Sequence, residues 1–207
     1  YACVDEINLI EGGYASALEK ELKTLREDPD WEEKKPGHML SIEDYRLATR
    51  MTTIYASSST ELFSYFRTGA FSLIDGRHVT SQDSHKVMIS DRLAEKNDLG
   101  VGDTFILRMR DWKNETVTGE CEVEVAGIFS VNGYQPINDF VVENDITYNW
   151  ILSDFETYLE LWNISDQNYY LNYEKSLYYD SVTFFVEDAE RLDEIMAEVQ
   201  DLDVMDP

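Results

Sequence analysis

Apolar residues recur at steps of three and four through INLIEGGYASALEKELKTLRE (7–27). Ile7, Ile10, Tyr14, Leu18, Leu22 and Leu25 would share one stripe, which predicts an amphipathic helix over this segment. Gly12 and Gly13 weaken its first turns, and alanine at Gly12 is expected to be neutral or better there. DPDWEEKKPGH (28–38) then breaks the pattern with two prolines and a glycine.

Strand-like and helical periods alternate from there. YRLATRMTTIYASSS (45–59), rich in Thr, Ile and Tyr, predicts a strand. STELFSYFRTG (59–69) predicts a short helix, capped by Ser59 or Thr60 and stopped at Gly69. AFSLIDGRHVTSQDSHKVMIS (70–90) alternates strand-like pieces with the turn DGRH. Ser90 is placed as the N-cap of a helix Asp91–Asn97. TFILRMRD (104–111) and TGECEVEVAGIFSV (118–131) predict a hairpin around the polar loop WKNE. In its second arm Cys121, Val123 and Val125 face one way, while Glu120, Glu122 and Glu124 face the other. That phase predicts a buried, unpaired Cys121.

NGYQPIND (132–139) reads as a loop and ITYNWILS (146–153) as a strand. SDFETYLELWN (153–163) reads as a helix with a capping box from Ser153 to Glu156. SVTFFVED (181–188) predicts another strand. In the closing helix DAERLDEIMAEVQDL, the residues Ala189, Leu192, Ile195, Met196 and Val199 form the expected buried stripe. Strands and helices intermix without an internal repeat, so the expected class is α+β.

Composition narrows the function. Thirteen Tyr, nine Phe and four Trp suit a folded body with a core. The 42 acidic residues against 17 basic ones, a net charge of -25, argue against a nucleic-acid partner. They also disfavour close approach to anionic lipid. Two readings of the charge stand side by side: solubility, or attraction of a cationic partner such as a basic peptide. Cys3 and Cys121 are the only cysteines, too few for a disulfide framework, and no Cys/His spacing suggests zinc. No signal peptide and no apolar run of transmembrane length is present. A start at Tyr1 and an end at VMDP suggest a piece of a longer protein, with membrane segments outside it.

Candidate chemistry is sparse. DLGVGDTF (98–105) has the order helix, glycines, strand, the reverse of a phosphate loop. It reads instead as a corner. Gly100 is expected to end the helix, or the turn that follows it, in a left-handed conformation, and Gly102 with Asp103 to make the reversal. A positive φ is expected at Gly102, so Gly102→Val should do more damage than Gly12→Ala. DGRHVTSQDSH (75–85) holds Asp75, His78, Asp83 and His85, which could bind a metal or simply decorate a turn. NYYLNYEKSLYYD carries Tyr169, Tyr170, Tyr173, Tyr178 and Tyr179. These are candidate ligand-binding residues, or else the aromatic packing of a long connection.

Five short pieces resemble a known pattern: Gly76-Arg77, Val87 to Ser90, Leu93-Ala94, Val101-Gly102-Asp103, and Val125 to Phe129. In this order they resemble the extracytoplasmic, MacB-like periplasmic core domain of FtsX/MacB-like ABC transporter permeases. SVTFFVEDAERLDEIMAEVQ also resembles the last strand and helix that precede the second membrane span in that family. The resemblance implies a mixed sheet and two lobes: a membrane-proximal α/β lobe from 1–57 and 146–207, and an inserted β-rich lobe at 58–145. It further implies the extracytoplasmic face of a bacterial cell membrane, flanking spans, and a cytoplasmic ABC ATPase partner. The domain would couple ATP hydrolysis to export or to sensing of a peptide or lipid. It would carry no catalytic residue, cofactor or metal of its own. The termini would lie together above the membrane. The rival readings are a secreted metal-dependent hydrolase using Asp75, His78, Asp83 and His85, and a passive adhesion or scaffold domain.

Overall fold

The structure, a computed structural model, describes residues 2–4, 6–31, 33, 49–110, 117–133, 135–161 and 188–201. The chain divides into two compact units, residues 1–171 and 172–207. The first unit is organised by β7 (Val117–Val131), whose length follows from the alternation read in its sequence. Cys121, Val123 and Val125 are buried, Glu120 and Glu122 are exposed, and Glu124 is half-buried. The first half of β7 pairs antiparallel with β6 (Thr104–Arg110), Leu107 opposite Cys121. Its second half pairs antiparallel with β4 (Phe71–Gly76). Along its other edge β5 (Lys86–Ser90) runs parallel to it, Val87 opposite Val125.

Four short strands extend the sheet. They are β1 (Ala2–Cys3), β2 (Met51–Thr52), β3 (Ile54–Ala56) and β8 (Ile151–Ser153). The order is β2-β1-β6-β7-β5-β8-β3, with β4 on β7. The pairs β5–β7 and β3–β8 are parallel and the others antiparallel, which makes a mixed α/β fold with a mixed sheet. Pairing crosses both expected lobe boundaries. β1 joins β6, and β8 joins β5, so segments assigned to different lobes share one sheet.

Side-chain alternation divides the core between the two faces of the sheet. One face holds Val87, Ile89, Leu107, Cys121, Val123, Val125 and Ile151, together with Val4, Ile7, Leu9, Leu93 and Leu161. The other holds Met88, Phe129, Leu152, Phe71, Val79 and Trp150. With both faces of β5 covered, its residues Val87 to Ser90 are all buried, the continuous pattern of an interior strand.

Helices are few. α1 (Gly13–Arg26) begins later than the apolar stripe predicts. Ile7 and Leu9 precede it and enter the sheet core instead. Gly12 lies outside the helix, and a Cβ there would stand 2.3 Å from the Val141 carbonyl oxygen. Gly102 does take a positive φ of 96°, but a Cβ there would meet nothing within 4 Å. Alanine at Gly12 is therefore not neutral as expected, because it meets backbone, while valine at Gly102 is strained by its φ alone.

The segment 59–69 forms a 3-10 turn, Thr60–Leu62, and one helical turn, α2 (Ser64–Arg67). α3 (Asp91–Asn97) is capped as expected, with the Leu93 N–H donating to Ser90 Oγ at 3.1 Å. Its left-handed C-terminal residue is Asp98, φ 55°, rather than Gly100. In the corner the Gly100 N–H donates to Asp103 Oδ2 at 2.7 Å. Residues 146–153 are not a single strand, because a 3-10 turn, Thr147–Asn149, precedes β8.

α4, residues 155–161, starts from Asp154 rather than Ser153. The Thr157 N–H donates to Asp154 Oδ1 at 2.7 Å, while Ser153 Oγ is buried on β8 without a hydrogen-bond partner. In the second unit a 3-10 turn, Ala189–Arg191, leads into α5 (Leu192–Asp201). Its stripe is not buried as expected, since Leu192 is 49% and Met196 50% exposed. The strand expected at 181–188 lies almost wholly outside the described residues. Among the described residues, no helix is long and apolar enough to cross a membrane.

Candidate functional site

Asp75, His78, Asp83 and His85, the sequence-predicted metal candidates, do not converge, because each has its own partner. Asp75 Oδ1 accepts from the Gly76 N–H at 2.8 Å. Asp83 takes both Nη atoms of Arg77, at 2.8 and 2.5 Å, and also the Thr80 N–H and hydroxyl. Those donors hold its carboxyl well below the usual carboxylate range, the Arg77 hydrogen bonds being the main cause. His78 Nδ1 lies 3.1 Å from the Thr60 hydroxyl, and its ring meets Phe66 edge-on. Burial lowers its pKa, which favours the neutral imidazole.

His85 alone of the four enters a ligand-like group. It stands just before β5 with a left-handed φ of 57°. Two hydrogen bonds fix that turn. Its N–H donates to Thr157 Oγ1 at 2.9 Å, and its carbonyl accepts from the Glu124 N–H at 2.9 Å. Thr157 is held in turn, its hydroxyl donating to Asp154 Oδ2 at 2.6 Å. The same Oδ2 accepts from the Lys86 N–H at 2.8 Å, so one buried carboxylate ties the start of α4 to the start of β5. The His85 imidazole is thereby aimed at α4, where its Nε2 lies 2.8 Å from Glu160 Oε2. A carboxylate only accepts, so Nε2 carries the hydrogen of this contact.

Cys121 completes the group from β7. Its sulfur and a ligand atom each of His85 and Glu160 all lie within 4.8 Å of one another. Cys121 is buried and unpaired, as its strand phase predicts. Burial, reinforced by the negative charges of Glu160 and Asp154, pushes its thiol up to about 12. Such a thiol is not poised as a nucleophile at neutral pH, so a Cys/His nucleophilic pair is a poor description. An imidazole nitrogen, a thiol sulfur and a carboxylate oxygen are instead a mixed ligand set of borderline softness.

Neither Cys121 nor Glu160 carries a local signal for this role. Glu160 lies 75 residues from His85 in the chain, and only the folding of α4 against β5 brings them together. Tyr169, Tyr170, Tyr173, Tyr178 and Tyr179 lie outside the described residues. Among the described residues an aromatic cluster lies on the other face of the sheet, where Phe71 stacks on Phe129 with ring centroids 4.7 Å apart and Tyr55 packs on Trp150 at 4.9 Å. No family model matches the chain, and no curated protein matches it.

Proposed function

We propose that this chain is the extracytoplasmic domain of an FtsX/MacB-like ABC transporter permease subunit. In this reading it couples a cytoplasmic ATPase to export, or to sensing of a peptide or lipid at the bacterial cell surface. One observation carries the proposal. The five pieces of the resemblance are scattered over residues 76–129, yet they assemble around a single stretch of β7. Gly76 pairs with Gly127, and the Arg77 N–H donates to the Ala126 carbonyl at 2.9 Å. Val87 to Ser90 form β5 alongside Val125 to Phe129. The Gly102 N–H donates to the Val125 carbonyl at 2.8 Å, and the Val125 N–H donates to the Asp103 carbonyl at 2.9 Å. Leu93 and Ala94 cover the same face from α3. This convergence supports reading the five pieces as one structural frame.

The net charge of -25 favours a cationic partner at this surface. Titration with basic peptides in moderate salt tests that part alone, and absence of saturable binding removes it. The proposal as a whole is tested on the full gene product that contains this chain. Tagged and extracted in mild detergent from its own cells, it should be recovered from membranes together with an ABC ATPase subunit. Recovery from the aqueous fraction with no ATPase would overturn it and favour a scaffold role.

A further inference from the structure

We propose that His85, Cys121 and Glu160 form a binding site for a zinc-type divalent transition-metal ion. The site stands independently of the permease reading. The three side chains come from three different elements: the turn before β5, the first half of β7, and α4. Each supplies one ligand atom of a type that zinc accepts, nitrogen, sulfur and oxygen. Zinc bonds to these atoms place neighbouring ligands about 3.3–3.8 Å apart around a tetrahedral ion. In the present set His85 Nε2 and Glu160 Oε2 are 2.8 Å apart, and every pair of ligand atoms lies within 4.8 Å. Small side-chain rotations are enough to close it.

The surroundings fit a bound cation as well as the ligands do. His85 and Glu160 side chains are 46% and 42% exposed, so an ion has an entry path, while Cys121 forms a buried floor. The negative charges of Glu160 and Asp154, which oppose a thiolate, favour a cation at the same place. A second layer is already built. Asp154 holds Thr157, and Thr157 holds the backbone of His85 in its left-handed turn. Outer partners of this kind orient metal ligands. On binding, the imidazole moves its hydrogen from Nε2 to Nδ1 by exchange with solvent, so that the Nε2 lone pair and Glu160 Oε2 both turn to the ion. The thiol proton leaves to solvent, and the fourth position stays open to water or another ligand. An exposed His–Glu pair in its own right is the plain alternative, but it assigns no part to the sulfur beside it.

Cobalt(II) titration of the 207-residue chain under reducing conditions tests the site, because only a thiolate ligand gives an intense near-ultraviolet charge-transfer band. One equivalent should produce the band, and zinc should abolish it by displacement. The band should persist in Cys3→Ser and vanish in Cys121→Ser. His85→Gln and Glu160→Gln, whose side chains are both partly exposed, should weaken binding by at least about tenfold. These two variants carry the test if Cys121→Ser does not fold. No band in the folded wild-type chain overturns the site. So does a band that survives Cys121→Ser, or affinity unchanged in both His85→Gln and Glu160→Gln.

Discussion

The segment Asp75–His85 contributes to two carboxylate-centred arrangements, one on Asp83 and one on Glu160, that differ in space. The first is closed. Asp83 is 11% exposed at its side chain and is filled by Arg77 and Thr80, all from the same turn. The second is open. His85 and Glu160 face solvent, come from distant parts of the chain, and leave the Cys121 sulfur beside them. A carboxylate whose donors are local is committed to holding its loop. One that meets its partner only through the tertiary fold keeps capacity for a ligand. The difference separates a structural pair from a candidate site better than residue type does.

The strongest way to break the closed arrangement is through the strand beneath it. A Cβ at Gly127 would lie 2.3 Å from the Arg77 carbonyl oxygen, and backbone cannot yield as a flexible side chain can. Gly127→Ala should therefore destabilise the chain by about 3 kcal/mol, the upper range for overpacking. Urea midpoints read this directly. A near-wild-type midpoint would mean that the corner can lift off β7 without harm.

Removing the charge inside the corner should cost less. Asp83→Asn loses charge-assisted hydrogen bonds worth about 1–2 kcal/mol, at the low end because the Arg77 side chain is 54% exposed. The pH dependence has a definite sign. Asp83 has its folded pKa depressed, so its stabilisation is present above the ordinary carboxylate value of about 3.9. It is lost as pH falls from there toward the folded value. Wild type should thus lose its advantage over Asp83→Asn on acidification below about pH 4. A constant difference between the two across that window would show that the native carboxylate is not depressed.

What was legible in the sequence follows the same division between local and distant. Ser90 as the cap of α3, the phase of β7 and the burial of Cys121 depend on neighbours within a few residues, and each reads correctly from the chain. The α4 cap was misplaced by one residue because Ser153 and Asp154 are both good caps. The choice is made by β5, whose Lys86 N–H also needs the Asp154 carboxylate. Gly12 read as a weak helical residue because its true constraint is the Val141 carbonyl, which no local pattern reveals. The pairing of β1 with β6 and of β8 with β5 was hidden in the same way. So was the third ligand of the candidate site, since one Glu among many acidic residues has no mark of its own until α4 is docked.

The smallest effect is expected at the open pair, and it is the one that sharpens the comparison most. Both side chains of His85 and Glu160 are more than two-fifths exposed, so their attraction is screened and offset by the side-chain entropy lost in pairing. The turn that presents His85 does not depend on Glu160, because it is held by Thr157 and Glu124 through the backbone. Glu160→Gln also leaves the Asp154 cap and the Leu161 core contact in place. In metal-free buffer the substitution should change stability by about 0.5 kcal/mol or less, a shift of about 1–2 °C in melting temperature for a chain of this size. Added zinc should raise the wild-type midpoint, since an ion that binds only the folded state stabilises it by mass action, and should raise that of Glu160→Gln much less. A loss in metal-free buffer as large as that of Asp83→Asn would make the open pair a brace like the closed one, and the distinction drawn between them would fail.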